Sequence, residues 1–465
     1  MELTGQPTDD SGSSTQPSTI VDGEMLNPAN EKYDQLSSLL GKLKNRTAKI
    51  AVVGQGYVGL PVAMRASQQG YPTVGYEIDD RRCGSLKDGV SYVEDVPNTD
   101  LTAALESGYL PTTDIGDLAG FDVAVITVPT PLREGAPDLS YVASAGESLA
   151  RVLRAGALIV LESTTFPGTT EEYLRPILET SGLRAGTDFY LGYSPERIDP
   201  GNKVWNFVNT PKVVAGVDSD SLNATSTFYD NLVDQVVEVE SASTAELVKI
   251  LENTYRHVNI ALVNEMAMFA RELGVNMWDA IDAAATKPFG FTAFRPGPGV
   301  GGHCLPIDPS YLSWRVRQDL GQTFRFVELA NDVNEHMPDY VASRVGSLLN
   351  EHTRSVKGTK ILLLGLTYKA GTSDWRESPS MIVAKRLANL GADLSLCDPH
   401  LPEAAPLPVD APLVPFTVAE LQSADLVIVL VDHPEFDPEV VADNSALVFD
   451  TKAILKGEVF SGEML

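Results

Sequence analysis

Cys304 sits in a run of residues that gives a structural cysteine nothing to pack against. It follows Pro296-Gly297-Pro298-Gly299-Val300-Gly301-Gly302-His303 and precedes Leu305-Pro306-Ile307-Asp308. Glycine and proline at this density make a tightly turned loop with free backbone N–H groups, whereas structural cysteines sit among apolar residues on strands or helices. A thiol there suits a nucleophile that substrate approaches closely, with Asp308 tuning protons beside it. Cys83 and Cys397 lie in ordinary α/β contexts and read as bystanders.

Lys249, Asn253 and Arg256 are spaced i, i+4 and i+7, which at about 3.6 residues per turn puts them on one helix face. A lysine and an amide converging on one spot can hold an oxyanion as negative charge develops; a solvated helix face fits the same spacing. Glu196, in Ser194-Pro195-Glu196-Arg197 behind the strand-like run 189–193, can serve as general base toward water, although a glutamate there is usually just exposed. Lys369 after a strand and Arg376 before a helix make a candidate anion site in an acidic chain. A helix cap with surface charges is the plainer alternative.

Gly54-Gln55-Gly56-Tyr57-Val58-Gly59 fits GxGxxG between a strand and a helix-compatible run. Gly54 permits the tight turn, Gly56 lets a pyrophosphate approach the backbone, and Gly59 lets the helix pack close to the strand. Glu77 ends the next strand 18 residues after Gly59, where an acid can hold the adenine ribose hydroxyls. It favours NAD over NADP, because a 2′-phosphate would meet like charge. Arg82 lies one helical turn further, near the adenine or ribose. Thr130 and Thr164 follow successive apolar strands and are placed to line the nicotinamide side, though a lone threonine at a strand end is more often a cap.

These residues need a scaffold, and the chain supplies one by alternation. Strand-like runs at 49–53, 73–77, 122–126 and 157–160 alternate with helical ones, which implies a doubly wound parallel sheet. A helical region from about Ser243 to Leu273 has almost no Gly or Pro. It is long enough to be a spine, with surplus apolar surface for a second copy of the chain. The pattern then repeats: 360–366 echoes the first strand and turn, 424–430 echoes 121–127, and 448–451 echoes 161–164. The expected fold is α/β, two Rossmann-like doubly wound parallel-sheet domains joined by a long central helix. Expected boundaries are a disordered acidic tail at 1–30, an NAD-binding domain at 31–240 opened by an amphipathic helix at 31–43, a central helical domain at 241–340, and a second Rossmann-like domain at 341–465.

The 465 residues exceed one hydrophobic core. A net charge of −28, from 35 Lys+Arg against 63 Asp+Glu, repels phosphate backbones, so no nucleic-acid partner is expected. No apolar run approaches a membrane span, and Met1–Gly5 lacks the basic start of a secretory signal. The three cysteines cannot all pair and form no metal-type CxxC, so a reducing, cytoplasmic setting without a metal site is expected.

The motifs GQGYVGLP (54–61), VPTP (128–131), ESTTFPGTT (162–170), SPER (194–197), KILENTYR (249–256), GPGVGGHCLPIDP (297–309) and GLTYKAGTSDWRESPS (365–380) occur in that order. Together they resemble the UDP-glucose/GDP-mannose dehydrogenase family from about Lys49 to Ile454. Within it the run at 286–291 and the stretch 194–202 look most like the UDP-N-acetylhexosamine branch, especially UDP-N-acetylglucosamine 6-dehydrogenases. Ile307 and Pro200 stand where UDP-glucose enzymes carry a lysine and a second glutamate. UDP-N-acetylmannosamine enzymes share GPGVGGHC, so the C2 configuration stays open.

The resemblance implies two oxidations of a C6 hydroxyl with NAD, through Cys304 as thiohemiacetal and thioester. Lys249 and Asp308 would move protons, Asn253 and Lys249 would hold oxyanions, and Glu196 would orient the hydrolytic water. Tyr57 and Val58, inside the glycine turn, are counted with the cofactor site. Arg197, Ile198, Lys249, Asn253, Arg256, Gly297, Lys369 and Ala370 would contact a UDP-sugar, and Arg376 the NAD pyrophosphate. A homodimer is expected. A non-catalytic protein binding NAD and UDP-sugar, or a single-step dehydrogenase, is the competing reading.

Overall fold

The computed structural model describes residues 28–199, 202, 204–302, 305–402 and 405–465. Residues 1–27, most of the expected tail, lie outside them. Residues 28–30 belong instead to a helix, Pro28–Lys44, which opens three residues before the expected boundary at a proline whose fixed φ suits a first helical position.

The first sheet is built from β1 (Ile50–Val53), β2 (Thr73–Tyr76), β3 (Leu110–Thr112), β4 (Val123–Ile126), β5 (Leu158–Leu161), β6 (Tyr190–Tyr193), β7 (Lys212–Gly216) and β8 (Val236–Glu238). Their order is β8-β7-β6-β5-β4-β1-β2-β3. The strands β3-β2-β1-β4-β5-β6 run parallel in the dinucleotide-fold order, which places a switch point between β1 and β4. The sheet is not wholly parallel, as the alternation implied. β7 pairs antiparallel to β6, because the described residues of 194–211 form no crossover helix of the kind a parallel return needs.

Both faces of this sheet are covered, which is why its strands read as unbroken apolar runs. Ile50 and Val52 pack into one buried cluster, and Ala51 and Val53 into the other. The second cluster also takes Ala245 and Ile250 from the spine helix Ala242–Glu272. Ser241 caps that helix by accepting the Thr244 N–H at 3.1 Å. Its 31 residues extend about 46 Å and lie against a second long helix, Arg325–Glu351.

A second sheet holds β9 (Lys360–Leu364), β10 (Asp393–Cys397), β11 (Leu426–Val429), β12 (Val448–Asp450) and β13 (Gly462–Met464). The order is β10-β9-β11-β12-β13, all parallel, with the switch point between β9 and β11. Two doubly wound sheets with the spine helix between them is the architecture the repeat in the sequence suggested.

Candidate active site

The glycine turn lies at the end of β1, at the first switch point. Gly54 has φ +91°, a conformation that disfavours a side chain. A Cβ on Gly59 would stand 1.9 Å from Gly54 O and 2.3 Å from Thr127 Oγ1, whereas one on Gly56 would meet nothing within 4 Å. The helix Gly59–Gln68, with Val58 at its N-cap, therefore packs tightly while Gly56 leaves the backbone open to an anion. Glu77 is buried beyond β2 and accepts the N–H groups of Gln55 and Asp79, both at 3.1 Å. This donor and acceptor set fits a dinucleotide.

Opposite the turn stands the second sheet's first loop. Gly56, Tyr57 and Arg82 share a cleft of about 530 Å³ with Ser373, Asp374, Trp375 and Arg376. The Arg82 guanidinium lies 5.4 Å from the centre of the Tyr92 ring, and Tyr92 donates to Gln55 O at 2.7 Å. Arg376 pairs with Asp374 at 2.8 Å, and that bond raises its pKa further. Lys369 points elsewhere, to Asp199 at 2.7 Å. The single anion site expected from Lys369 and Arg376 is thus divided between two places. Thr130 and Thr164 do come together, Thr130 Oγ1 donating to Thr164 O at 2.7 Å.

The face carrying Lys249, Asn253 and Arg256 is not simply solvated. Lys249 and Asn253 are buried on the spine helix. Asn253 donates its amide to Asp308 and accepts from Arg256 on its oxygen. Asp308, in the first turn of the helix Asp308–Leu320, is buried as well. Burial pushes its carboxyl up to about 6 against the opposing charge of Lys249 and the Asn253 bond. A carboxyl that ionises near neutrality beside a lysine and an amide can accept a proton while its neighbours hold an oxyanion.

His303 and Cys304 lie outside the described residues, but the loop leading to them is defined. Gly297 donates its N–H to Asn264 Oδ1 at 2.9 Å, which hangs the loop from the spine helix. A Cβ on Gly301 would come within 2.8 Å of Glu377 O, and one on Gly302 within 2.8 Å of the Tyr368 ring. Glycine is required there because the loop lies directly on the second sheet's 366–378 segment.

Glu196 is buried, 7% exposed, contrary to the plain expectation for its position. One carboxylate oxygen accepts the Ile198 N–H; the other is buried with no hydrogen-bond partner. Lys212 stands 4.0 Å from that second oxygen while pairing with Glu162, and Tyr229 donates to Glu162 at 2.6 Å. Arg197 is engaged by Glu252 and donates to Pro211 O at 2.6 Å. Ile198 packs against the first core, and Ala370 lies in the turn after Lys369.

Residues 48–233 match the NAD-binding domain of the UDP-glucose/GDP-mannose dehydrogenase family, 243–336 its central domain and 362–457 its UDP-binding domain. The chain belongs to that family. It is an NAD-dependent nucleotide-sugar dehydrogenase. A UDP-N-acetyl-D-mannosamine dehydrogenase of Pyrococcus horikoshii is 37% identical over 83% of this chain and 90% of its own length. A UDP-N-acetyl-D-glucosamine 6-dehydrogenase of Pseudomonas aeruginosa is 34% identical over 83% of this chain and 91% of its own. Among solved structures, the UDP-D-ManNAc dehydrogenase of P. horikoshii superimposes with a TM-score of 0.80 at 34% identity, over 89% of this chain and 98% of that one. Among the described residues no helix is long and apolar enough to cross a membrane.

Three supporting groups escaped the sequence reading. Asn264 anchors the cysteine loop; it stands 11 residues, about three turns, beyond Asn253 on the same face. Glu246, one turn before Lys249, accepts Gly168 N at 2.6 Å and Thr170 N at 2.8 Å, holding the ESTTFPGTT segment to the helix. Burial pushes its carboxyl up to about 7. Their helical spacing from Lys249 and Asn253, on the same face, was the available signal for both. The Lys212–Glu162 pair joins two strands and left none.

Proposed function

We propose that the chain oxidises the C6 hydroxyl of a UDP-N-acetylhexosamine to the carboxylate. The observation that carries this reading is the buried group of Lys249 and Asn253, on the helix from which the Cys304 loop hangs, with Asp308 of the next helix, to which Asn253 donates while receiving the exposed Arg256. Both C2 epimers are named among the relatives. Support is greater for the manno sugar, whose enzyme is the more identical of the two, than for the gluco sugar that the motifs favoured.

Bound NAD supplies the hydride acceptor for each of the two oxidations. Asp308, ionised and backed by Lys249, takes the hydroxyl proton through water, and the alkoxide is held by Lys249 and Asn253. The Cys304 thiolate then attacks the aldehyde, and oxidation of that adduct leaves a thioester. Water oriented by the Glu196 oxygen that carries no hydrogen bond hydrolyses it, returning the thiol and releasing the carboxylate. Arg197, Ile198, Arg256, Gly297, Lys369 and Ala370 hold the UDP-sugar. Gly54, Gly56, Tyr57, Val58, Gly59, Glu77, Arg82, Thr130, Thr164 and Arg376 hold the cofactor.

The working unit in this proposal is a homodimer through the spine helix. Leu247, Leu251, Tyr255, Leu262, Met266, Phe269 and Leu273 form one exposed stripe along it, and Phe326 and Leu329 of the neighbouring helix are exposed as well. Apolar area of that extent suits a second copy of the chain. The buried, unpaired Cys83 and Cys397 suit a cytoplasmic setting.

Initial rates with UDP-N-acetylmannosamine, UDP-N-acetylglucosamine and UDP-glucose test the substrate. The manno sugar is expected to give the highest kcat/KM. A preference for UDP-glucose would overturn the N-acetylhexosamine assignment.

A further inference from the structure

The two sheets build their switch points alike. Gly54 after β1 has φ +91° and Gly365 after β9 has φ +92°. Each turn donates N–H groups to an acid beyond the neighbouring strand: Gln55 N to Glu77 in the first, Leu366 N and Thr367 N to Asp398 in the second, the latter pair at 2.6 and 2.9 Å. Each acid also accepts from two residues further on, Asp79 N to Glu77 at 3.1 Å and His400 N to Asp398 at 2.8 Å. The first crevice opens toward a ligand. The second is filled by the His433 imidazole, whose side chain is 0% exposed.

His433 is bonded on both nitrogens. Nδ1 accepts the Gly371 N–H at 3.2 Å, which leaves the ring proton on Nε2, 3.1 Å from both Asp398 Oδ2 and Thr367 Oγ1. His400 and Glu435 stand close enough to His433 to suggest a metal site, but His433 has no lone pair left to offer. What the imidazole does hold is the loop 366–376. That loop sends Lys369 to Asp199 and Ser373 N to Glu94 of the first domain, the latter at 3.0 Å. It also places Arg376 in the cleft facing Gly56 and lays Tyr368 against the cysteine loop.

We propose that His433 and Asp398 are positioning residues, a sealed second crevice that clasps the 366–376 loop so that one anchor sets the binding of both the UDP-sugar and the cofactor. Neither residue touches a ligand; both act through Lys369 and Arg376. The asymmetry of the repeat follows: one sheet keeps its crevice for a dinucleotide, and the other spends the same geometry on holding a loop across the first. Burial works against ionisation of Asp398, but the His433 bond and the backbone N–H groups outweigh it and bring its pKa down to about 2. Asp398 therefore stays ionised across the working pH range.

The proposal rests on the dehydrogenase reading above, and the test separates the two. The full-length protein, His433→Leu, His433→Asn and Asp398→Asn are compared by steady-state kinetics in each substrate, by calorimetric binding of UDP alone, and by hydrogen exchange of the 366–376 segment. His433→Leu keeps the bulk and loses both bonds. It is expected to raise KM for NAD and for the UDP-sugar together by about tenfold, the scale of a lost buried hydrogen bond. UDP binding weakens in step and exchange in 366–376 speeds up. kcat changes less than about threefold, because the cysteine loop keeps its own anchor on Asn264. His433→Asn restores an acceptor for Gly371 and recovers most of the loss; Asp398→Asn, which keeps volume, moves in the same direction as His433→Leu should the latter fold poorly. Unchanged KM values, a rise in only one, or wild-type exchange in 366–376 would overturn the clasp. A wild-type protein that forms no NADH would instead overturn the dehydrogenase reading, while exchange and UDP binding would still decide the clasp.

Discussion

Asn253 donates its side-chain amide to the Asp308 carboxylate, joining the spine helix to the first turn of the helix that follows the cysteine loop. Asn253 also receives Arg256, so one amide fixes an acid and a cation at once. That bond places the proposed proton acceptor and the proposed oxyanion-holding groups in one buried spot.

The pH dependence follows from Asp308. Burial raises it to about 6, and it accepts a proton only when ionised. kcat/KM is therefore expected to fall about tenfold per pH unit below about 6 and to level off above it. Asp308→Asn should lower kcat by about 10²- to 10⁴-fold and abolish that acid limb. An unaltered limb in the variant, read from rates between pH 5 and 8, would assign the titration elsewhere.

The cysteine loop depends on a polar anchor. Asn264→Ala strips a partner from Gly297 N and from Asn334, to which Asn264 donates at 2.9 Å. The orphaned groups cost about 1–3 kcal/mol, and kcat/KM should fall about 10- to 100-fold. Rates in the variant that match wild type would show the loop is held by its glycine contacts alone.

Gly59→Ala tests the cofactor turn. The added methyl would meet Gly54 O at 1.9 Å, backbone that cannot step aside, at a cost of about 1–3 kcal/mol. KM for NAD should rise more than about tenfold, while affinity for UDP alone, measured by calorimetry, stays unchanged. A parallel loss of UDP binding would mean global damage instead.

The long alternating runs made the fold readable. β1, β4 and β5 are buried on both faces, so their apolar character is continuous and their parallel pairing follows. β7 was missed because it joins the sheet by an antiparallel return instead of a helical crossover; β8, which follows it in parallel after the helix Ser219–Asp230, is three residues long and mostly exposed. In the site, Lys249, Asn253 and Arg256 were visible through helical spacing alone. Glu246 and Asn264 lie on that face too, yet their roles depend on partners at Gly168 and Gly297, distant in sequence. The Glu196 environment was illegible for the same reason: its burial is created by Lys212 and Glu162 across neighbouring strands.

The exposed stripe on the spine helix predicts the assembly. Leu262→Glu introduces a charge at its middle, on a residue 51% exposed in the single chain. Light scattering should give twice the chain mass for wild type and a shift toward the 50.0 kDa chain for the variant. A concentration-independent monomer in the wild type would end the dimer proposal.

The central claim is a four-electron oxidation through Cys304, and counting NADH per sugar consumed tests it most directly. Wild type is expected to form two NADH for each UDP-N-acetylhexosamine, and Cys304→Ala to lose that stoichiometry together with the uronate product. One NADH per sugar in the wild type, or two in Cys304→Ala, would contradict the account.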